Sequence, residues 1–224
     1  METIKYIKNQ SNNMMKNLLY FFVMLNLLFI SVNAVNQETL FNYEFEEGAG
    51  NIVLDTSGND NHLVANGLVW TIDNVNDIYA VDLDGSNDYA QGVINLQNLS
   101  QFSFSTWVKP WSNSKDSIFV FYTPIEDLVF KIEIDPDAGN NNLRLVYTNE
   151  LSVSTDLDLD STNFNTGTYY HLSFTYDFIA NEFKYYRDSV LINTFSNVDI
   201  TSLTSSSVSG LGIKVLSFTS YIFS

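Results

Sequence analysis

The sequence contains no cysteine, and it has only three prolines and two histidines among its 224 residues. The lack of cysteine excludes disulfide bonds, a thiolate zinc site and a cysteine nucleophile. The only histidines are His62 and His171, and no Gly-x-Ser-x-Gly stretch is present, so a serine hydrolase triad lacks its local signature. A phosphate-binding glycine loop and a paired-histidine zinc motif are also absent from the sequence.

Basic residues are scarce as well. Lys and Arg number 10 against 26 Asp and Glu, which gives a formal net charge of −16. Such a surface repels phosphate backbones and anionic lipid headgroups. We therefore expect no nucleic-acid partner and no membrane binding outside the N-terminal segment. The charge suits a neutral glycan, a cationic partner or a divalent metal.

One apolar run stands out, LLYFFVMLNLLFISV at residues 18–32. Lys16 precedes the run, and Ala34 ends a small-residue cleavage site after it. This arrangement predicts a signal peptide over residues 1–34 and a secreted or cell-surface domain over residues 35–224. The alternative is an uncleaved signal anchor, which the length of the run disfavours because a membrane span needs about 20 apolar residues.

Beyond this leader, no apolar pattern with the period of a helix persists long enough to form one. Short runs rich in Val, Ile, Tyr, Phe and Thr alternate with clusters of Asn, Asp, Gly and Ser. The run 102–109 separates two faces, Phe102, Phe104, Thr106 and Val108 on one and Ser103, Ser105, Trp107 and Lys109 on the other. The sequence therefore predicts an all-β, antiparallel sandwich or barrel.

Several segments in a fixed order resemble one family. They are YEFEEGAG (43–50), DTSGNDNH (55–62), LDGSNDY (83–89), FSFSTWVKP (102–110), YYHLSFTYD (169–177) and FKYYRDSVLINT (183–194). Together they resemble the laminin-G-like modules of the concanavalin A-like jelly-roll family, from about Leu40 to about Gly212. The resemblance implies an antiparallel β-sandwich with the concanavalin A-like jelly-roll topology. It also implies an extracellular module of the lectin type, which binds carbohydrate or protein.

Two features depart from the family pattern. Leu63 stands where a glycine normally follows His62. The chain ends LGIKVLSFTSYIFS (211–224), with no acidic residue after Asp199, whereas the family closes with a strand that carries an acidic pair after a glycine. Either the closing strand is degenerate or the sequence is truncated. A missing strand would expose the backbone groups of its neighbour.

Two of these segments, DTSGNDNH (55–62) and LDGSNDY (83–89), carry the candidate metal site, and we call them the first and second acidic turns. Each gathers oxygen ligands of the kind that Ca²⁺ takes at about 2.3–2.6 Å, and members of the family often bind calcium there. If the two loops meet at one end of the sandwich, the ligands are Asp55, Asn59, Asn61, Asp84 and Asp88. The alternative is that these side chains cap turns and bind no metal. Ca²⁺ prefers oxygen, so His62 is expected to be a packed or hydrogen-bonded turn residue.

A hydrolase reading rests on Glu133 and Asp135. Concanavalin A-like glucanases use a strand bearing Glu-x-Asp-x-x-Glu, and residues 133–135 resemble its beginning. Ala138 occupies the place of the second Glu, and Pro136 ends the strand too early. We therefore predict a polar strand face that leads into a hairpin, and no catalytic residue. A glycoside hydrolase domain remains the second alternative.

Exposed aromatic rings would carry sugar recognition, because a ring packs against the apolar C–H face of a pyranose. Trp111 in a strand connection is the best candidate, followed by Trp70 and Tyr122. The alternative for each is core or rim packing, which we favour strongly for Trp107. The only glycosylation sequon is at Asn98.

The sequence thus predicts an extracellular, non-enzymatic module that recognises carbohydrate or a glycoconjugate, with Ca²⁺ as the candidate cofactor. The first alternative is an adhesion or structural ectodomain that binds protein and no sugar.

Overall fold

The computed structural model describes residues 39–73, 78–83, 87–94, 99–110, 115–122, 128–135, 142–149, 151–200 and 218–219. Every regular element in these ranges is a β-strand, which confirms the predicted all-β class. The strands are β1 (Ile52–Val53), β2 (Leu63–Asn66), β3 (Val69–Asp73), β4 (Ile78–Asp82), β5 (Tyr89–Gln91), β6 (Gln101–Val108), β7 (Asp116–Tyr122), β8 (Leu128–Asp135), β9 (Asn142–Thr148), β10 (Ser154–Asp160), β11 (Tyr170–Asp177), β12 (Glu182–Arg187), β13 (Val190–Ser196) and β14 (Phe218–Thr219).

The predicted leader, residues 1–34, lies outside the described residues. The signal peptide and the domain boundary at residue 35 therefore stay predictions. None of the described residues belongs to a helix with the length and apolar character of a membrane span.

Two large antiparallel sheets organise the described strands. The first has five strands in the order β13-β12-β11-β6-β14, and the second has four in the order β10-β9-β8-β7. Strands β1, β2 and β5 form a small third sheet, and β3 pairs with β4 alone. Strands β12 and β13 form an antiparallel hairpin. Its turn residues Asp188 and Ser189 both have positive φ, 50° and 68°, as a two-residue hairpin turn requires.

The two large sheets pack face to face through aromatic rings. Phe104 of β6 stacks on Phe119 of β7 with the ring centroids 4.1 Å apart. Phe102 of β6 stacks on Phe130 of β8 at 5.3 Å. Because β6 belongs to one sheet and β7 and β8 to the other, these contacts lie between the layers. They confirm the predicted sandwich.

Strand β11 shows how the alternation of the sequence divides inside from outside. Its inward residues Tyr170, Leu172, Phe174 and Tyr176 are buried, and its outward residues His171, Ser173, Thr175 and Asp177 are half-buried. Ser173 lies opposite Ser105 of β6 on one side and opposite Tyr186 of β12 on the other. The outer face of the five-stranded sheet therefore carries a row of short hydroxyl side chains at its centre.

Residues near the C-terminus pair beside β6. Phe218 lies opposite Val108, and Thr219 opposite Trp107, in antiparallel register. The described residues of this strand, Phe218 and Thr219, carry no carboxylate.

Candidate functional site

Asp55 follows β1, and its carboxylate organises the first acidic turn. Oδ1 accepts the backbone N–H groups of Asn42 at 2.8 Å and Ser57 at 2.9 Å. Oδ2 accepts the Ser57 hydroxyl at 2.8 Å and the Asn61 N–H at 3.0 Å. Burial raises the pKa of this carboxyl, but the hydrogen bonds outweigh burial and hold the pKa below its ordinary value. The carboxylate is therefore a charged cap whose two oxygens are both engaged.

The other polar residues of this turn tie it to the segment before it. The Asn59 amide donates to the Thr39 carbonyl at 2.7 Å, and the Asn61 amide donates to the Leu40 carbonyl at 2.7 Å. Nδ1 of His62 accepts the Asp55 N–H at 2.9 Å, as expected for a hydrogen-bonded turn residue. These contacts give the turn a structural role that needs no metal.

Asp88 of the second turn lies at the other end of β2. Asp55 sits beside Asn61, just before β2, whereas Asp88 sits beside Gly67, just after it: a Cβ on Gly67 would fall 1.9 Å from Oδ1 of Asp88. Six residues of extended chain separate positions 61 and 67, which is on the order of 20 Å. One ion with ligands at about 2.3–2.6 Å cannot bind both carboxylates.

The structure therefore does not bring the predicted metal ligands into one site. The prediction assumed that the two turns meet at one end of the sandwich, and strand β2 holds them apart. Asp84 lies outside the described residues. Within the described part of the chain, no group of three or more His, Asp or Glu side chains is placed to hold a metal ion.

Glu133 and Asp135 of β8 form a buried ion-pair network. Their side chains are each 1% exposed. Lys115 Nζ lies 3.1 Å from Oε1 of Glu133 and 2.5 Å from Oδ2 of Asp135, and Lys131 pairs with Glu133. Hydrogen bonding to Asp135 raises the pKa of Lys115. The predicted polar strand face is thus a set of paired charges, while Pro136 and Ala138 lie outside the described residues.

Arg144 of β9 extends this network across the four-stranded sheet. Its Nη1 lies 2.8 Å from Asp135, and its Nη2 lies 2.6 Å from Asp156 of β10. The backbone register places Arg144 opposite Glu133 on one side and Asp158 on the other. Cations therefore occupy the oxygens that a hydrolase would present to its substrate, and the network links β8, β9 and β10.

The aromatic residues predicted to bind sugar are placed differently from one another. Trp111 lies outside the described residues, as does the sequon residue Asn98. Trp70 packs partly buried against the core, and its indole N–H donates to the Gly50 carbonyl at 2.9 Å. Tyr122 is half-buried at the end of β7. Trp70 thus shows the rim packing that was its alternative.

Core or rim packing was favoured for Trp107, and the structure places its side chain at the surface of the sheet beside His171. It lies on the outer row of β6, is 37% exposed, and its ring lies 5.0 Å from the ring of His171. The alternation of residues 102–109 had already placed Trp107 on the face opposite the phenylalanines.

Beside Trp107 the outer face of the five-stranded sheet holds a groove of about 290 Å³. We name it the hydroxyl groove, and its lining residues are Ser103, Phe104, Ser105, His171, Ser173, Phe174, Thr175, Tyr186 and Ser189. Short side chains sit side by side on β6 and β11, so the surface dips there. The rings of His171 and Tyr186 rise beside the dip. Sequence reasoning missed this groove because it depends on the register between three strands.

The residues that line the hydroxyl groove carry no formal charge at neutral pH. Burial lowers the pKa of His171, and the nearby Asp188 opposes that effect only in part. Oδ1 of Asp188 accepts the backbone N–H of His171 at 2.9 Å, and the backbone N–H of Asp188 donates to the His171 carbonyl at 2.8 Å. The surface that these side chains turn toward the groove is mostly apolar, with a small polar part from the Ser, Thr, His and Tyr residues.

This chain belongs to the concanavalin A-like lectin/glucanases superfamily. The family model Laminin_G_3, which carries that description, matches residues 84–214, more than half of the sequence. The resemblance identified from the motifs is thereby confirmed. A comparison with curated proteins gives no match.

Solved structures share the fold at low sequence identity. Domain 4 of AbnA, a GH43 extracellular arabinanase from Geobacillus stearothermophilus, in complex with arabinotriose, has a TM-score of 0.61 and 18% identity, covering 84% of this chain and 92% of that one. The receptor binding domain of botulinum neurotoxin mosaic serotype C/D has a TM-score of 0.59 and 14% identity, covering 83% of this chain and 46% of that one. This chain thus spans less than half the length of the toxin domain. A mutant Trypanosoma rangeli sialidase has a TM-score of 0.56 and 11% identity, covering 81% and 30%. At these identities the likeness shows the fold alone.

Proposed function

We propose that this protein is an extracellular carbohydrate-binding module whose site is the hydroxyl groove. One observation carries the proposal: a groove on the outer face of the five-stranded sheet is lined by Ser, Thr, His and Tyr side chains and lies beside the exposed ring of Trp107. Each Ser or Thr hydroxyl supplies one donor and two acceptors, which suits the hydroxyls of a sugar. AbnA domain 4, whose structure contains arabinotriose, has a similar fold and lends support.

The aromatic residues at the groove complement the hydroxyls. A pyranose has an apolar C–H face that packs on an aromatic ring, and polar edges that need hydrogen bonds. Trp107 beside His171 and Tyr186 across the groove supply rings, while Ser105 and Ser173 lie between them. Small-molecule sites combine apolar surface with a few placed polar groups in this way.

We expect Trp107→Ala to weaken glycan binding about tenfold, or about 1.4 kcal/mol, because an aromatic contact with the sugar is lost. A glycan array on the purified domain identifies a bound oligosaccharide, and calorimetric titration then measures its Kd for each variant. Tyr79→Ala is the matched control, since Tyr79 is a similarly exposed ring, 40% exposed, on a different sheet. Equal Kd values for Trp107→Ala and the wild type would remove Trp107 from the sugar site.

Calcium is a separate part of the proposal. The hydroxyl groove contains no carboxylate among its lining residues, so we expect the Kd for glycan to stay within about twofold when EDTA replaces CaCl₂. Thermal unfolding under both conditions gives a second readout. A higher unfolding temperature in CaCl₂ that Asp88→Asn abolishes would place calcium at the second turn. Loss of glycan binding in EDTA would show that the metal shapes the sugar site.

An adhesion module that binds protein is the second candidate, and strand β13 favours it. This strand ends the five-stranded sheet, and its Val190, Leu191 and Ile192 are exposed. An apolar edge strand can pair with an extended segment of another protein. This function would be supported if the domain binds no sugar on the glycan array but captures a protein partner. Leu191→Lys should then abolish that capture. The hydrolase alternative requires glycan turnover that Glu133→Gln abolishes.

A further inference from the structure

We infer that the hydroxyl groove selects an uncharged pyranose and discriminates against sugars that carry a carboxylate. The inference rests on the proposed function and narrows its ligand class. It follows from which side chains face the groove, how the nearby cations are engaged, and where the nearby carboxylates lie.

No lysine or arginine lines the groove among the residues that the structure describes. Lys184, the neighbour of Thr175 on β12, pairs with Glu182. Arg187 turns to Asp160, at 3.0 Å. His171 is held in its neutral form by burial, which lowers its pKa. An acidic sugar would therefore lose part of its hydration in the groove and gain no counter-ion there.

Two carboxylates flank the groove along β11. Asp188 hydrogen-bonds to the backbone at His171, where β11 begins. Asp177, on the same outward row, ends β11 and accepts the N–H groups of Ile179 and Ala180. These two charges, together with the formal net charge of −16, repel an approaching anion.

The spacing of the hydroxyls suits one sugar ring. Ser105 lies opposite Ser173, and Ser103 lies opposite Thr175. Paired positions across antiparallel strands have Cβ atoms about 5 Å apart, and alternate positions along a strand lie about 7 Å apart. These four positions thus bound a rectangle of about 5 by 7 Å, close to the size of a single pyranose ring.

The test compares neutral oligosaccharides with counterparts in which one hexose is replaced by its hexuronic acid, a CH₂OH-to-carboxylate change. At pH 7 we expect the acidic counterpart to bind at least tenfold more weakly. Ser173→Lys should reduce this difference to threefold or less, because it places a cation in the groove. Thr175→Lys is the second variant in case Ser173→Lys does not fold. Ser154→Lys, at an exposed position on β10, is the control for net charge and should leave the ratio unchanged.

The outcomes separate the inference from the proposed function. Equal or tighter binding of the acidic sugars overturns the inference but leaves carbohydrate binding in place. Binding of no glycan in either set overturns both. A tenfold preference that disappears in 1 M salt, where the screening length is about 3 Å, would assign the discrimination to repulsion by Asp177, Asp188 and the net charge, and would overturn the role of the groove lining.

Discussion

Replacing Asp55 with alanine is expected to lower the free energy of unfolding by about 3 kcal/mol. The carboxylate accepts three backbone N–H groups and the Ser57 hydroxyl, and the substitution leaves these donors without their partner. Hydrogen bonds to a charged group contribute more than neutral ones, although water replaces part of the loss in a turn at the surface. Urea unfolding at pH 7, followed by tryptophan fluorescence, measures the change.

Asp60 of the same turn provides the control. Its side chain is 92% exposed. Asp60→Asn should therefore change the free energy of unfolding by less than about 0.5 kcal/mol, which is usual for a substitution at the surface. Asp55→Asn removes the charge and should fall between the wild type and Asp55→Ala. If Asp55→Ala destabilises only when CaCl₂ is present, the carboxylate is a metal ligand and its role as a cap is wrong.

The pH dependence of this effect has a definite sign. The folded-state pKa of Asp55 lies below its ordinary value of 3.8, so the folded protein favours the ionised form. Its contribution to stability is therefore complete well above pH 3.8 and is lost as the pH falls through the folded-state pKa. The difference in unfolding free energy between the wild type and Asp55→Asn should be constant at neutral pH and shrink in acid.

Local alternation was enough to predict the fold, but the site depends on pairing between distant strands. Residues 102–109 separate phenylalanines from serines within one strand, and that separation survives in the sandwich. The sequences of the two acidic turns do not reveal that β2 runs between them. The shared metal site was predicted without that information, and the topology does not support it. Proximity in sequence is a poor guide here, because each turn adjoins a different end of the same strand.

The hydroxyl groove also depends on pairing between strands that are distant in sequence. Ser105, Ser173 and Tyr186 come from three separate strands, and only the register between those strands makes them neighbours. A register shift between Tyr185 and Tyr186 alters the alternation of the hairpin at that point. A one-residue change in pairing would send these side chains to the core face. The groove therefore could not be read from any single segment.

Arg144→Leu is expected to lower the free energy of unfolding by about 3 kcal/mol. The guanidinium contacts Asp135 and Asp156, and its removal takes one cation away from the buried carboxylate of Asp135, which also pairs with Lys115. A buried carboxylate that loses part of its compensation retains its full desolvation penalty. Chemical denaturation compares this variant with Lys184→Met, which breaks the surface pair with Glu182 and should change stability by less than about 1 kcal/mol.

Asp135→Asn in the Arg144→Leu background tests the cause. If the loss comes from a buried charge without its partner, removing that charge should restore part of the stability, and the two substitutions will couple strongly in a double-mutant cycle. Simple addition of their separate effects would instead mean that Arg144 acts through packing of its stem. Strong coupling would show that the charges of Arg144 and Asp135 act together to join β9 to β8.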